Sequence, residues 1–461
     1  MCSTGAAAEQ PVSIDRGWQG DEIVVSLTGS SVTRRCKGYT VKVSVFSQPA
    51  QFTVTLGEQV TATSILEQHK PGSPFVLRIQ RPVAGSATEY DVDEPLQTGK
   101  VDAVDVADAT ETTIEIRGRD NIAALFDSYF IQEDSFTEAT YYDLTAKQLQ
   151  AVGFPEAEGW LLTGDEARRK AITNRGGGMK RSPRPVRTGS TTVEHLDYAW
   201  AWTPNVGGGA SMAKTKVSVP SDPVGGSADA KAAVVETVTG GQPKQEIKTL
   251  KAIIGQQRYG WLKQQYKRIG LFLWCLPSGE FSLSTPNTTQ KPMYLLRRSR
   301  DGRPEDNNIL SGSMRNDTVT RYSHTLVYGR AGGGKDGRQR IRGEHVDQEL
   351  IDSGLIKQIS YDEHDIKTQK AADALARRYA ADARRSARSL TYTVPGHSAA
   401  SLLEPGKRVP FYVDRMVRVI DQKLGIDGLF YLGELEFTRT PESKTRITLY
   451  WPEDLVFAEE S

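Results

Sequence analysis

Leu96 to Phe130 reads LQTGKVDAVDVADATETTIEIRGRDNIAALFDSYF, and its pattern decides the fold. Lys100 to Val106 is a strand candidate and Ala107 to Glu111 a turn. In the run that follows, Ile114 and Ile116 share one face and Thr113 and Glu115 the other, the period of two expected of a half-buried strand. The pattern predicts a β-hairpin that closes on Gly118, Arg119 and Asp120. From Asn121 to Phe126 the spacing turns helical, with Asp120 placed to cap the orphan amides of a helix start. A β-domain hands over to something helical here.

Upstream, residues 1 to 20 are polar and predict an arm or a first edge strand. Ile23, Val25 and Leu27 alternate, as do Val41, Val43 and Val45, then Phe52, Val54 and Leu56, then Phe75, Leu77 and Ile79. With the hairpin these give about six strands, enough to close a small antiparallel barrel and remove its edges. The acidic run Glu89 to Glu94 reads as a solvated turn.

Downstream, residues 121 to 173 read as helix and loop, with Asp143 or Thr145 capping a helix that holds Leu144, Leu149 and Val152 and stops at Gly153 before Pro155. Residues 174 to 245 are broken by Gly176-Gly-Gly178, Gly207-Gly-Gly209, Gly225-Gly226 and Gly240-Gly241, which predicts an extended insertion or linker. Its basic run (Arg175, Lys180, Arg181, Arg184, Arg187) has no aromatic residue between the charges to stack on bases and reads as a solvated loop. From Glu246, Ile247, Leu250, Ile254, Trp261, Leu262 and Tyr266 fit one or two amphipathic helices interrupted near Gly255 or Gly260 and ending at Gly270. Leu271 to Leu276, a Pro277-Ser-Gly279 turn and Phe281 to Leu283 then predict a hairpin.

In the last third, Asn308 to Leu310 opens a strand region, and Arg321 to Gly329 reads as a strand with Tyr322, His324, Leu326 and Tyr328 on one face. A helix capped by Asp365 follows, with Ala372, Leu375, Tyr379 and Ala383 as its buried stripe and Arg377, Arg378, Arg384, Arg385 and Arg388 mostly elsewhere. Strand candidates at Leu390 to Val394, Gly396-His397, Pro405-Gly406 to Val413, Gly428 to Phe437 and Thr445 to Trp451 describe a second small barrel. The class is mainly β with α+β accessory parts. The units are 1–120 (first barrel), 121–173 (helix and loop of a peripheral domain), 174–245 (Gly-rich insertion), 246–300 (helix-hairpin peripheral domain) and 301–461 (second barrel with a helix at 365–388).

Two sets of residues carry a family resemblance. Gly99-Lys-Val101-Asp102, Gly118-Arg119-Asp120 and Leu125-Phe-Asp127-Ser128 resemble the end of the first tube domain of Mu-type phage baseplate hub proteins. The arginine-rich helix, Val394-Pro-Gly396-His397, Leu403-Glu-Pro405-Gly406, Val417-Arg-Val419-Ile-Asp421, Gly425-Ile-Asp427-Gly428, Glu434-Leu-Glu436-Phe437 and Thr445 to Pro452 look like the second tube domain, in the same order. The late control protein D family and the hub half of type VI secretion spikes resemble it more distantly. The resemblance implies a structural virion protein: a homotrimer whose two barrels per chain make a pseudo-hexameric ring between the six-fold tail tube and the three-fold spike. It implies as partners the tube or tube-initiator protein, the spike, other baseplate proteins, and the tape-measure protein and DNA that pass through the channel. A channel wall rich in Lys and Arg would retain DNA, so a neutral or acidic lumen is expected, with Asp102, Asp105 and Asp108 as candidates. The alternatives are a hub of a genome-free contractile injection particle, or a hub fused to a cell-wall hydrolase.

Composition agrees with a plain globular chain: 461 residues, 38% apolar and 25% charged, with 58 Lys and Arg against 57 Asp and Glu. That balance gives no global reason to bind nucleic acid or an anionic membrane. Cys2, Cys36 and Cys275 are odd in number and far apart, which fits a reducing compartment and neither a disulfide framework nor a zinc site. No basic-then-apolar leader is seen, and the longest apolar run, Ile269 to Leu276, is too short to span a bilayer, so cytoplasmic assembly without membrane insertion is expected. Three stretches imitate catalytic motifs. Gly329 to Lys335 has phosphate-loop spacing but Asp336 in place of the magnesium-binding hydroxyl. Gly396-His-Ser398-Ala-Ala400 lacks the closing glycine of a nucleophile elbow. Tyr361-Asp-Glu-His-Asp365 precedes a helix that needs caps and has no second ligand group at helical spacing. His69, His195, His324 and His345 are isolated. No catalytic residue, metal or cofactor is expected.

Overall fold

In a computed structural model the described residues are 22–27, 30–31, 36–46, 49–56, 70–83, 90–108, 112–136, 140–154, 161–163, 198–204, 210–216, 250–301, 307–330, 340–363, 366–440 and 442–455. The alternating runs of the first part are strands: β1 (Glu22–Leu27), β2 (Ser30–Ser31), β3 (Cys36–Ser44), β4 (Gln51–Leu56), β5 (Pro74–Pro82), β6 (Tyr90–Asp108) and β7 (Thr112–Asp120). The β6–β7 hairpin pairs Asp108 with Thr112 at its tip and Gly99 with Asp120 at its base. β6 is 19 residues long and takes in Asp91 and Asp93, which the sequence reading had put in a solvated turn. The reason is cross-strand pairing: Asp93 accepts from Arg78 at 2.8 Å and Gln80 at 3.1 Å, and Asp91 lies 3.5 Å from Arg81, all on β5. Asp120 does not cap the following helix. The N-cap of α1 (Ala123–Phe126) is Ile122, with no side-chain cap, while the Asp120 carboxylate accepts from the Ala50 amide at 3.0 Å.

The middle part comprises β8 (Asp134–Phe136), α2 (Tyr141–Ala151), β9 (Leu161–Thr163), β10 (Tyr198–Pro204), β11 (Ala210–Lys216), β12 (Leu250–Ala252), α3 (Arg258–Lys267), β13 (Phe272–Cys275) and β14 (Phe281–Ser284). Within the Gly-rich stretch, β10 and β11 pair as an antiparallel hairpin; the rest of 174–245, with its basic run, lies outside the described residues. The cap of α2 is Thr140, which forms a capping box with Asp143; Thr145 instead donates to the Tyr141 carbonyl at 2.6 Å from inside the helix. Gly153 (φ +94°) stands just past the end of α2, where a left-handed residue is needed. Leu250 sits in β12 against β8, and α3 runs unbroken through Gly260. Tyr259, Trp261, Leu262 and Tyr266 pack with Phe130, Phe136 and Leu144 in a core of their own.

The last part adds β15 (Tyr294–Arg298), β16 (Ser311–Asn316), β17 (His324–Arg330), β18 (Arg340–Val346), α4 (Gln348–Asp352), β19 (Gln358–Asp362), α5 (Gln369–Ala387), β20 (Arg388–Pro395), β21 (Ser398–Ala400), β22 (Arg408–Pro410), β23 (Arg415–Asp421), β24 (Ile426–Arg439), β25 (Ser443–Tyr450) and a 3-10 turn at Pro452–Leu455. On β17 the buried side is Thr325 and Val327; the face shared by Tyr322, His324, Leu326 and Tyr328 is the more open one. Thr368 caps α5, accepting from the Ala371 amide at 3.2 Å; Asp365 lies outside the described residues. The buried stripe of α5 is Ala372, Leu375, Ala376, Tyr379, Ala380 and Ala387, with Ala383 only half-buried.

Thirteen strands form one sheet in the order β16-β20-β25-β24-β3-β4-β7-β6-β5-β1-β2, with β23 on β24 and β15 parallel to β23. The two halves meet where Glu434–Arg439 of β24 pair with Tyr39–Ser44 of β3. They share one core, which runs from Ile23 through Phe52 and Val101 to Phe437 and Leu449. Pairing among the described residues follows this branched path and makes no closed ring.

Candidate functional site

The β6–β7 hairpin is held open for close approach by its glycines. A Cβ at Gly99 would strike the Arg119 carbonyl and stand 2.7 Å from Asp120 Cα; one at Gly118 would stand 2.5 Å from the Phe52 ring and 2.7 Å from the Lys100 carbonyl. Val101 is buried between them. On the open face, Arg119 grips Asp102 through Nε at 2.6 Å and Nη2 at 3.0 Å, and Asp127 at 3.0 and 2.7 Å. These hydrogen bonds, donated to the Asp102 and Asp127 carboxylates, hold the Arg119 guanidinium still further above its already high pKa. Arg117 pairs with Asp105 and, at 3.3 Å, with Glu115. Asp108 ends β6 opposite Thr112, and its side chain lies outside the described ones. Asp102, Asp105, Glu115 and Asp127 thus offset Arg117, Arg119 and the exposed Lys100, which leaves a nearly neutral strip.

Across the seam, the buried His397 ring ties the halves together. The Ile23 amide donates to Tyr39 Oη (3.2 Å), which lies 2.7 Å from His397 Nε2; His397 Nδ1 lies 2.9 Å from Thr445 Oγ1, and that hydroxyl donates to the Gly396 carbonyl at 2.6 Å. With Thr445 donating onward, the network fits a neutral ring protonated on Nδ1. Gly396 (φ +69°) and Gly406 (φ +82°), after Pro405, occupy left-handed turn positions that favour glycine. Asp421, fully buried, accepts from Arg298 Nε (2.9 Å) and Nη2 (2.6 Å) and from the amides of Lys423 and Leu424. Burial pushes its pKa up, but the Arg298 and backbone hydrogen bonds outweigh this and hold it below the ordinary carboxylate value. Gly428 pairs with Val419 on the neighbouring strand.

The motif-like stretches bring no catalytic group together among the described residues. Ser398 is buried and accepts from Arg408 Nε at 3.3 Å, while His397 beside it is engaged with Tyr39 and Thr445. Glu363 accepts from Tyr379 Oη at 2.5 Å and pairs with Arg268 at 3.1 Å, tying α5 to the end of α3; His364 lies outside the described residues. Residues 331–339 of the phosphate-loop-like run, His69 and His195 are outside them too. His324 faces Glu344 at 3.1 Å. Burial pushes the Cys275 thiol well above its usual pKa, which makes it a poor nucleophile. No three His, Cys, Asp or Glu among the described residues are grouped to hold a metal ion, and no described helix is long and apolar enough to cross a membrane.

Two features were missed in the sequence. Arginines around the end of α5 brace neighbouring segments: Arg388, the first residue of β20, donates to Asp454 at 2.5 and 2.9 Å and to Glu453 at 3.0 Å in the 3-10 turn, while Arg384 of α5 and Arg321 converge on Asp347. The second is an exposed apolar knob, where Tyr129 (54% exposed) and Ile131 (85%) lie beside Ile253 (66%) and Ile254 (60%). The segments are joined by Phe130 N–H to Gln256 O and Gly255 N–H to Phe130 O. Ile131 and Ile253-Ile254 next to Gly255 were the available signal, hidden by an expected helix.

No protein-family model matches this sequence, and no curated protein matches it. Solved structures do. The chain is similar to the 43 kDa tail protein of prophage MuSo2 from Shewanella oneidensis, at 14% identity and a TM-score of 0.60 over 94% of this chain and 99% of that one. It is also similar to the tail protein from Neisseria meningitidis MC58, at 16% identity and a TM-score of 0.58 over 95% of this chain and 99% of that one. At such identities the likeness is one of fold, and it covers nearly the whole of each chain.

Proposed function

We propose that this chain, which has the fold of those prophage tail proteins, is the central hub of a phage tail baseplate and acts as a homotrimer. The observation that carries the reading is the β3–β24 seam, which makes the chain's two β-halves one sheet over one core. A single rigid chain thereby offers two β-units at a fixed angle. Three copies around an axis offer six, so the trimer meets a six-fold tube on one side and a three-fold spike on the other. The barrels of this ring close through the assembly, with the spike, the tube or tube initiator and other baseplate proteins as partners, and its place is the virion tail. The role calls for interfaces and for no reaction.

In this reading the β6–β7 strip, with Asp102, Asp105 and Asp108, lines the channel. A near-neutral wall lets DNA or a tape-measure protein slide past without the salt-sensitive retention that many unpaired cations cause. The test of the oligomer is the mass of the purified chain by light scattering, with and without its spike partner, followed by negative-stain averaging. A trimeric ring with a central hole is expected; a monomer under both conditions overturns the hub. The test of the strip is charge reversal. Asp102→Lys with Asp105→Lys leaves only Glu115 and Asp127 against Arg117, Arg119, Lys100 and the two introduced lysines, so particles are expected in normal number but with DNA ejection slowed several-fold. Assembled particles that eject at the normal rate would remove the strip from the channel.

A further inference from the structure

A cavity of about 30 Å³ lies where three parts of the chain meet, lined by Gln97 and Asp120 from the first half, Trp274 and Cys275 from β13, and Asp414 and Arg415 from the second half. Its wall is unusual in one respect. Gln97 is 2% exposed, yet neither its Nε2 nor its Oε1 meets a protein partner, and Asp120 Oδ1 in the same wall meets none within hydrogen-bond distance either. Buried polar atoms without partners are costly, and native folds meet them with protein or with water. The volume suffices for about two water molecules, each of which needs two to four polar neighbours.

We propose that this cavity is a built hydration site, in which ordered water bridges the Gln97 amide and the Asp120 carboxyl and so joins the β13–β14 hairpin to both halves of the sheet. The donor set selects water over a cation. It mixes donors (Gln97 Nε2, the Arg415 guanidinium) with acceptors (Gln97 Oε1, Asp120 Oδ1), and a guanidinium in the wall opposes a second positive charge. The other acid in the wall does not complete a cation shell: Asp414 Oδ1 accepts from Tyr431 Oη at 2.9 Å and from the Asn287 amide at 3.2 Å.

The site also sets the titration of Asp120. Burial pushes its pKa up to about 7, against the pull of the Ala50 and Ile122 amides and of Arg119; Tyr259 of α3 and Cys275 of β13 face it uncharged, and Asp414 and Arg415 face the cavity from the second half. A carboxyl with a folded pKa above its unfolded value holds an extra proton in the folded state, so it lowers stability as pH rises from about 4 to about 7 and adds nothing further beyond. Waters that can turn their dipoles are what allow that charge to form in place.

The experiment is the full chain with Gln97→Met and, separately, Asp120→Asn. If water links the two side chains, Gln97→Met leaves Asp120 with one partner fewer and lowers Tm by ~2–4 °C. If the cavity is dry, the same change removes two unmet polar atoms and raises Tm, which overturns the proposal. Asp120→Asn keeps an acceptor for Ala50 and is expected to flatten the Tm change between pH 4 and pH 7. An unchanged slope overturns the titration. Should Gln97→Met fail to fold, the wild-type crystal density decides: water within hydrogen-bond distance of both Gln97 and Asp120 supports the site, and a metal ion or no density overturns it.

Discussion

Asp421→Ala is expected to destabilise the chain by about 3–5 kcal/mol, the range for breaking one side of a buried ion pair. The carboxylate is fully buried at the end of β23 and is the only acid in contact with the Arg298 side chain among the described residues. Removing it leaves the guanidinium, 11% exposed, charged in the core, and also strips the amides of Lys423 and Leu424 of their acceptor. Asp421→Asn should cost less, since it keeps an acceptor for those amides. The double change Arg298→Met with Asp421→Asn should recover most of the loss, because the uncompensated charge is gone. Denaturant unfolding of wild type, Arg298→Met, Asp421→Asn and the double variant gives the coupling from the cycle, with Asp421→Ala measured beside them. The pH sign follows from a lowered folded pKa: Asp421 contributes fully above its unfolded value and the contribution is lost as pH falls below about 4. Equal stability of Asp421→Ala and wild type would mean that the pair is hydrated.

How much of this could be read beforehand divides along a physical line. Period-two alternation found β1, β3, β4, β5 and β7, because one face of each is buried and the pattern is local. It failed at Asp91 and Asp93, whose charges are offset by Arg78 and Arg81 on the neighbouring strand, a fact of register that hydropathy does not carry. On β17 it grouped Tyr322, His324, Leu326 and Tyr328 on one face but could not say which face is buried; α5 packs over the side bearing Thr325 and Val327, and the larger residues stay in the open. Asp120 was named correctly as special but for the wrong job; helix capping is a local expectation, and the Ala50 amide it binds is 70 residues away. The same holds for His397, flagged as a motif position, whose partner Tyr39 is 358 residues distant. The β3–β24 seam, on which the functional reading rests, is a long-range pairing that no window of sequence contains.

Gly343→Val should be at least as damaging, with a loss of about 3 kcal/mol or more, because this overpacking meets main chain rather than side chain. A Cβ at 343 on β18 would strike the Ala372 carbonyl group and stand 2.5 Å from the Asp373 amide nitrogen, so the first turn of α5 must lift. Side chains elsewhere can turn away; a helix backbone cannot. Lifting α5 pulls Leu375, Ala376 and Tyr379 from Val327, and it strains the arms that Arg384 and Arg388 extend to Asp347 and Asp454. The control is Gly428→Ala on β24, where the new methyl would meet only the Phe430 ring at 3.2 Å, so a change below about 1 kcal/mol is expected. Thermal unfolding of both variants separates the cases. A Gly343→Val protein as stable as Gly428→Ala would show that α5 rides on β18 with slack, and the rigid mount that the trimeric reading requires of each chain would then rest on the seam alone.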